Sequence, residues 1–222
     1  MGLITRSGIS FCEVSDRLLF LDLYADRYFL IAEDAERSLR EVIGGCCFGP
    51  EQRQALGGLL RAGVLLETND DRVPQCFESP SAPTTSLLDG GARPARLRER
   101  LNALSMLSVA RVQLRFVALH VILGRLEASK SSQPDSASYS SQRLQEVADA
   151  FEWTSRMIRS HDQCLARSLA ATRRLTVLGV PAELVIGVRL RPFAAHSWAQ
   201  VKHFLVNDHI DTVRTYTPIL AI

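Results

Sequence analysis

The chain has 222 residues, with 26 Lys and Arg against 24 Asp and Glu and 46% hydrophobic side chains. That length suits two small domains, the apolar content suits packed cores rather than a disordered chain, and the near-neutral balance leaves no basic footprint for nucleic acid. Five cysteines without a C-x-x-C or Cys/His metal spacing argue against a disulfide framework or a structural zinc site, and fit a reduced, cytoplasmic chain.

The N-terminus lacks the long apolar core of a signal peptide. The central apolar stretch Phe116–Leu123 is too short to span a bilayer and holds His120, so no membrane association is expected. From Ile9 the pattern predicts strands and then helices. Ile9–Val14, Leu18–Leu23 and Arg27–Ile31 read as three strands, with turns at Asp16-Arg17 and Tyr24-Ala25-Asp26. Asp34 is expected to cap a helix through Val42, and Gly44-Gly45 to end it. Glu51–Ala62 predicts a second helix with an apolar stripe of Leu56, Leu59 and Leu60, and Gly63 stands at its C′ position. Residues 1–78 thus predict a small winged-helix-like module, three strands followed by helices. Such a module binds either DNA or a peptide added along an exposed strand edge. Glu51 beside Arg53 and Arg61 spoils a phosphate-facing surface, which favours the peptide. The candidate contacts are Arg27, Tyr28, Phe29, Leu30 and Ile31, with Leu56, Leu59 and Leu60.

Residues 79–95 hold Pro80, Pro83 and Pro94 with Ser81, Ser86 and Gly90-Gly91, a mix that reads as a linker. The second domain, 96–222, opens with Leu97, Leu101, Leu104 and Leu107, then Val112, Phe116, Leu119, Leu123 and Leu126, at helical spacing and expected to face a core. A serine-rich loop is expected from Ala128 to Ser141, then a helix from Leu144 toward Ile158.

The residues with chemistry follow. Ser160-His161-Asp162-Gln163 has capping-box spacing, so a helix is expected to start there and run to Leu178, closed by Gly179 and Pro181. Cys164 then falls in the first turn. Unpaired amides and the positive end of the helix dipole lower a thiol pKa there and suit an oxyanion. The plain alternative is a small core cysteine. Leu184–Val188 and Ala195–Val201 read as strands, Lys202-His203 as a turn, and Phe204–Asp208 as another strand. A turn centred near Lys202 sets His196 and Asp208 opposite each other across the hairpin. The carboxylate then steadies one imidazole nitrogen while the other takes the thiol proton. A slip of one residue would turn the two to opposite faces. Trp198 either lines this site or packs. With no Gly-rich phosphate loop and no metal motif, no bound cofactor or metal is expected.

Cys164 at a helix start, Ala195-His196-Ser197-Trp198 and Asp208 together resemble the Cys–His–Asp arrangement of the transglutaminase-like fold. The chain is more closely similar to the B proteins of lasso-peptide biosynthesis. That likeness is carried over 143–222 by Gly179-Val180-Pro181-Ala182, the Gly187-Val188 strand, Asn207-Asp208 and Tyr216-Thr217-Pro218-Ile219. Asp26-Arg27-Tyr28-Phe29-Leu30 and Leu59–Leu65 resemble the same family's leader-recognition module, itself similar to the pyrroloquinoline-quinone D protein. Many relatives have Glu and Gly after the Trp, where this chain has Gln200 and Lys202-His203.

The resemblance implies an α+β chain, with the winged-helix-like module fused to a transglutaminase-like, papain-like α+β peptidase domain. Cys164 would be the nucleophile, His196 the base and Asp208 the orienter. The implied activity is removal of the leader from a lasso precursor peptide. The implied partner is an asparagine-synthetase-like cyclase that closes the macrolactam, and any ATP-Mg would be used there rather than by this chain. Two alternatives stand beside this. One is a transglutaminase-like acyltransferase, told apart by an amine acceptor. The other is a winged-helix regulatory protein, told apart by salt-dependent duplex binding.

Overall fold

In a computed structural model of the chain, residues 2–78, 81–91, 93–131, 140–157 and 163–222 are described. The chain divides into two compact units, Met1–Glu78 and Ser79–Ile222.

The first unit runs β1 (Gly2–Thr5), β2 (Ile9–Val14), β3 (Arg17–Asp22), β4 (Arg27–Leu30), α1 (Glu33–Ile43), α2 (Pro50–Ala55), α3 (Gly57–Arg61) and β5 (Leu65–Thr68). The three expected strands form one antiparallel sheet in the order β2-β3-β4, so β4 is an edge strand. Ser15, Asp16 and Asp26 take positive φ in its turns, a conformation that short polar side chains tolerate. Phe11, Phe20 and Phe29 stand opposite one another in register. Their rings stack with centroids 4.9 and 5.3 Å apart, and this ladder joins Leu39, Val42, Leu56 and Leu65 in the core.

Several expectations for this unit are corrected. The strand β1 was not anticipated; it pairs antiparallel with β5. Ala32, not Asp34, is the N-cap of α1, and Asp34 lies in the acidic first turn, where it meets the helix dipole. The Glu51–Ala62 helix is broken at Leu56 into α2 and α3. Leu56 is fully buried in the core and Ile31 nearly so, which removes both from any peptide-facing surface. Leu59 and Leu60 pack partly against the same core. Leu30 is 39% exposed on the edge strand, and Arg27 is exposed beside it with its guanidinium over the Phe29 ring. Arg53 is tied to Glu67 at 2.8 Å, which further weakens a phosphate-facing reading.

Glu36 holds α1 to the sheet. Its carboxylate accepts from Arg17 Nε at 2.8 Å, from the Leu18 amide at 3.0 Å and from Arg40 at 3.0 Å. Burial pushes its pKa up, but these hydrogen bonds and the Arg17 charge outweigh it and hold the group below its ordinary value. A depressed folded pKa stabilises above the ordinary carboxylate range, and that stabilisation is lost as pH falls through the folded value. Glu36→Gln is therefore expected to cost about 1–3 kcal/mol at neutral pH and to flatten the acid limb of thermal stability. Unfolding scans from pH 7 down to pH 3 check this, and an unchanged acid limb would refute it.

The second unit runs β6 (Thr85–Ser86), α4 (Leu97–Phe116), α5 (Leu119–Ser131), α6 (Ser141–Met157), α7 (Cys164–Val177), β7 (Glu183–Leu190), β8 (Phe193–Val201), β9 (Phe204–Leu205), α8 (Ile210–Val213) and β10 (Thr217–Ala221). Its sheet has the order β10-β7-β8-β9-β6, antiparallel except for the parallel β9–β6 pair. The helix α7 packs on β8 and against α4 and α6. Both units match the expected α+β class.

Part of the expected linker belongs to this unit: Ser86 and Leu88 are buried, and β6 extends the sheet. Proline and serine content did not reveal it, because an edge strand needs only backbone partners. The helix α5 reaches Ser131 rather than ending near Ala128, and 132–139 lie outside the described residues. The expected core stripe of α4 is also corrected. Leu97 and Phe116 are 70% and 75% exposed, and Leu101 and Val112 are exposed as well. The buried side carries the expected Leu107 together with Ala103 and Ala110. Alanines bring α4 close to α7, whose buried residues include Ala166, Ala170 and Ala171. Among the described residues, no helix is long and apolar enough to cross a membrane.

Candidate active site

Cys164 is the first residue of α7, as the first-turn expectation requires. The cap differs from expectation. Gln163 is the N-cap and makes no side-chain cap bond, while Ser160, His161 and Asp162 lie outside the described residues. Gln163 is only 6% exposed, and its side-chain amide nitrogen and oxygen have no hydrogen-bond partner among the described residues. The helix closes as expected, with Gly179 at φ 75.

His196 lies within β8, opposite Gly187 of β7. A Cβ at Gly187 would stand 2.8 Å from Trp198 ring carbons and 3.0 Å from Tyr216 Cβ, so the absent side chain makes room for both rings. Tyr216 sits with its ring centroid 5.1 Å from that of His196. Trp198 is a core residue: it is 1% exposed, packs with Val185, Leu205 and Val213, and donates Nε1–H to Gln200 Oε1 at 3.1 Å.

Asp208 meets His196, but not across a strand pair. Gln200 pairs with Leu205 and Val201 with Phe204, a register whose continuation would set Asp208 opposite Ser197. The strand β9 stops at Leu205, the chain bends, and Asp208 Oδ2 lies 2.5 Å from His196 Nε2. The expected Phe204–Asp208 strand is thus shortened, and the contact comes from a bend.

That bend is held on several sides. Asn207 Oδ1 accepts from the Ala199 amide at 2.7 Å, and its Nδ2 donates to Ser168 Oγ at 3.0 Å. Ser168 Oγ donates to the Ser197 carbonyl at 2.8 Å, which joins α7 to β8 between nucleophile and base. Arg167 donates to the Asn207 carbonyl at 3.2 Å, and Ser86 Oγ to the Asp208 carbonyl at 2.7 Å. The His209 amide donates to Asp208 Oδ1 at 2.8 Å. Sequence reasoning missed Ser86, Gln163, Arg167, Ser168 and Tyr216. Ser168 alone had a local signal, standing one helical turn after Cys164 on the same face.

The electrostatics separate Cys164 from the other cysteines. Burial pushes its thiol up, but hydrogen bonds and charge from His196, with hydrogen bonding at Ser197, outweigh it and hold the thiol below its ordinary value. His196 moves the other way. Burial pulls it down, yet Asp208 and Cys164 raise it to about 9. By contrast, burial pushes Cys12 up to about 12 and Cys76 up as well. Among the described residues, no group of three or more His, Cys, Asp or Glu is placed to hold a metal ion. The structure brings Cys164, His196 and Asp208 together, and Trp198, a buried core residue, also stacks beside the His196 ring with centroids 6.4 Å apart.

Cys164 is expected to alkylate at neutral pH, with its rate falling only below the ordinary thiol range. His196→Ala removes the hydrogen bond and charge that hold the thiol low, so the neutral-pH rate is expected to drop. Peptide-resolved mass spectrometry after iodoacetamide treatment checks this, with buried Cys12 as the slow internal control. Equal rates for parent and variant would disprove the pairing.

A family model described as Transglutaminase-like superfamily matches residues 106–221, just over half of the chain. Among curated proteins, the Microcin J25-processing protein McjB of Escherichia coli is 47% identical over 45 residues, 20% of this chain and 22% of that protein. The chain thus matches about a fifth of the length of that relative. No solved structure matches. Both matches agree with the resemblance read from the sequence.

Proposed function

The chain belongs to the transglutaminase-like superfamily, and from that premise we propose that it is a cysteine endopeptidase that removes the leader from a lasso precursor peptide. The observation that carries this reading is the Cys164–His196–Asp208 constellation at the head of α7, with the thiol held low and the imidazole held high. The likeness to a microcin-processing protein supports the substrate class. The proposed setting is the cytoplasm, beside an asparagine-synthetase-like cyclase that takes the freed core peptide and is the site of any ATP-Mg use.

In the first unit the leader is proposed to add as a strand beside β4, along Arg27, Tyr28, Phe29 and Leu30. The edge position of β4 and the exposure of Leu30 support this. Capture there raises the effective concentration of the scissile bond for the second unit. Cys164 Sγ attacks the scissile carbonyl carbon, a C–S bond forms, and the oxygen becomes an oxyanion. Amide donors at the start of α7 face that charge. As the C–N bond breaks, His196 gives its proton to the leaving amine. Water then attacks the thioester carbonyl, His196 takes a proton from it, the C–S bond breaks to return the Cys164 thiolate, and the leader departs with a free carboxylate. Asp208 keeps the ring oriented and stabilises its charged form.

Purified full-length chain, precursor peptide and cyclase, followed by mass spectrometry, test the reading. Cys164→Ala is expected to abolish cleavage while keeping leader affinity by fluorescence anisotropy. Asp208→Asn is expected to lower kcat by about 10²-fold or more with little change in melting. Leu30→Asp is expected to weaken leader binding about tenfold, or 1.4 kcal/mol. Cleavage by Cys164→Ala would overturn the nucleophile. A product carrying an amine adduct rather than a free carboxylate would establish acyl transfer instead.

A further inference from the structure

We propose that Ser86 is a positioning residue for Asp208: its hydroxyl, in the edge strand β6, fixes the Asp208 carbonyl and so aims the carboxylate at His196. Asp208 lies in a bend, so no strand pairing sets its direction. Three contacts on Asp208 itself do so. Oδ2 meets His196 Nε2 at 2.5 Å, Oδ1 accepts from the His209 amide at 2.8 Å, and the carbonyl accepts from Ser86 Oγ at 2.7 Å. Only the last comes from another part of the chain and is independent of the imidazole.

Ser86 is itself well fixed. It pairs with Leu205 through the parallel β6–β9 ladder, and the next residue, Leu87, donates its amide to the Leu205 carbonyl at 3.0 Å. The segment therefore grips both ends of the bend, Leu205 through the Leu87 amide and Asp208 through the Ser86 hydroxyl. The hydroxyl also accepts from the Leu88 amide at 3.1 Å, so its donor direction is committed to Asp208. The residue is 3% exposed, which leaves solvent little means to replace the bond. The segment carrying Ser86 lies near the start of the second unit, so that unit's first strand supplies a piece of the catalytic support.

The inference deepens the peptidase reading and rests on Asp208 acting as orienter. The groups facing His196 are Cys164, Asp208 and Tyr216, with the Arg189 guanidinium over the Tyr216 ring at 5.3 Å. Loosening Asp208 withdraws its support from the imidazolium and, through it, from the thiolate. Two measurements on the full-length chain test this, using Ser86→Ala and Ser86→Thr: steady-state cleavage, and the pH profile of Cys164 alkylation read peptide by peptide. Ser86→Ala is expected to lower kcat about tenfold to a hundredfold with KM unchanged. Its alkylation inflection is expected to move up toward the ordinary thiol range, and Ser86→Thr, which keeps the hydroxyl, to restore both. A variant that loses activity with an unmoved alkylation profile would make Ser86 merely structural and overturn the proposal, as would parental values in both readouts. If Ser86→Ala does not fold, Ser86→Cys, similar in size and a weaker donor, gives the same comparison. A parent chain that shows the low alkylation inflection yet cleaves no precursor would sink the peptidase reading, while the shift in Ser86→Ala still decides the role of Ser86.

Discussion

The site depends on one contact, the 2.5 Å approach of Asp208 Oδ2 to His196 Nε2. Both side chains are largely withdrawn from water, at 18% and 12% exposure. A protonated imidazole in such surroundings is costly unless a carboxylate faces it, and a carboxylate is costly unless donors satisfy it. The His209 amide fills the second carboxylate oxygen, so the pair is compensated on both sides. Cys164 is tied in through the same region. Ser168, one turn beyond Cys164, bonds both to the strand that carries His196 and to the Asn207 that precedes Asp208. Helix, strand and bend are thus locked to one another within a few residues of each reacting group.

The sheet around this contact is built to leave space where the rings need it. Gly187 opposite His196 admits Trp198 and Tyr216 side by side. The buried faces of α4 and α7 mix alanines with leucines, Ala103, Leu107 and Ala110 on one and Ala166, Leu169, Ala170, Ala171 and Leu175 on the other. That leaves Leu97, Leu101, Val112 and Phe116 on the outer side of α4.

What the sequence made legible follows from how local each cause is. The first-unit strands could be read because β-branched and aromatic runs and their polar turns are local signals, and the three phenylalanines fall into register once the turns are placed. The start of α7 and the identities of Cys164, His196 and Asp208 could be read from residue type and a resemblance. The geometry joining the last two could not. A hairpin argument from the Lys202 turn gives a pairing one residue away from the observed ladder, and only the end of β9 at Leu205 rescues the contact. The β6 edge strand was hidden for the same reason: parallel pairing between residues 85–86 and 204–205 leaves no local trace. Leucine periodicity misjudged α4 because the side that packs is marked by alanine, which buries without adding apolar bulk. Leu56 looked like one of a surface stripe because the helix break that turns it inward is a tertiary event.

The two opposed pKa shifts bear on the proton steps that the residue types suggest. A triad read from residue types has a neutral imidazole that removes the thiol proton during attack. Here the thiol is held low and the imidazole raised to about 9, each partly by the other. The two groups therefore titrate as a pair, and both shifts favour its thiolate–imidazolium form. In the proposed reaction that form carries the attack, and His196 then donates its proton to the leaving amine. Asp208 stabilises that donor form, so a carboxylate that drifts from the ring would weaken both the thiolate reserve and the acid that completes acylation. That double dependence explains why the bend carrying Asp208 is anchored from α7, β8 and β6 at once rather than by the hairpin alone.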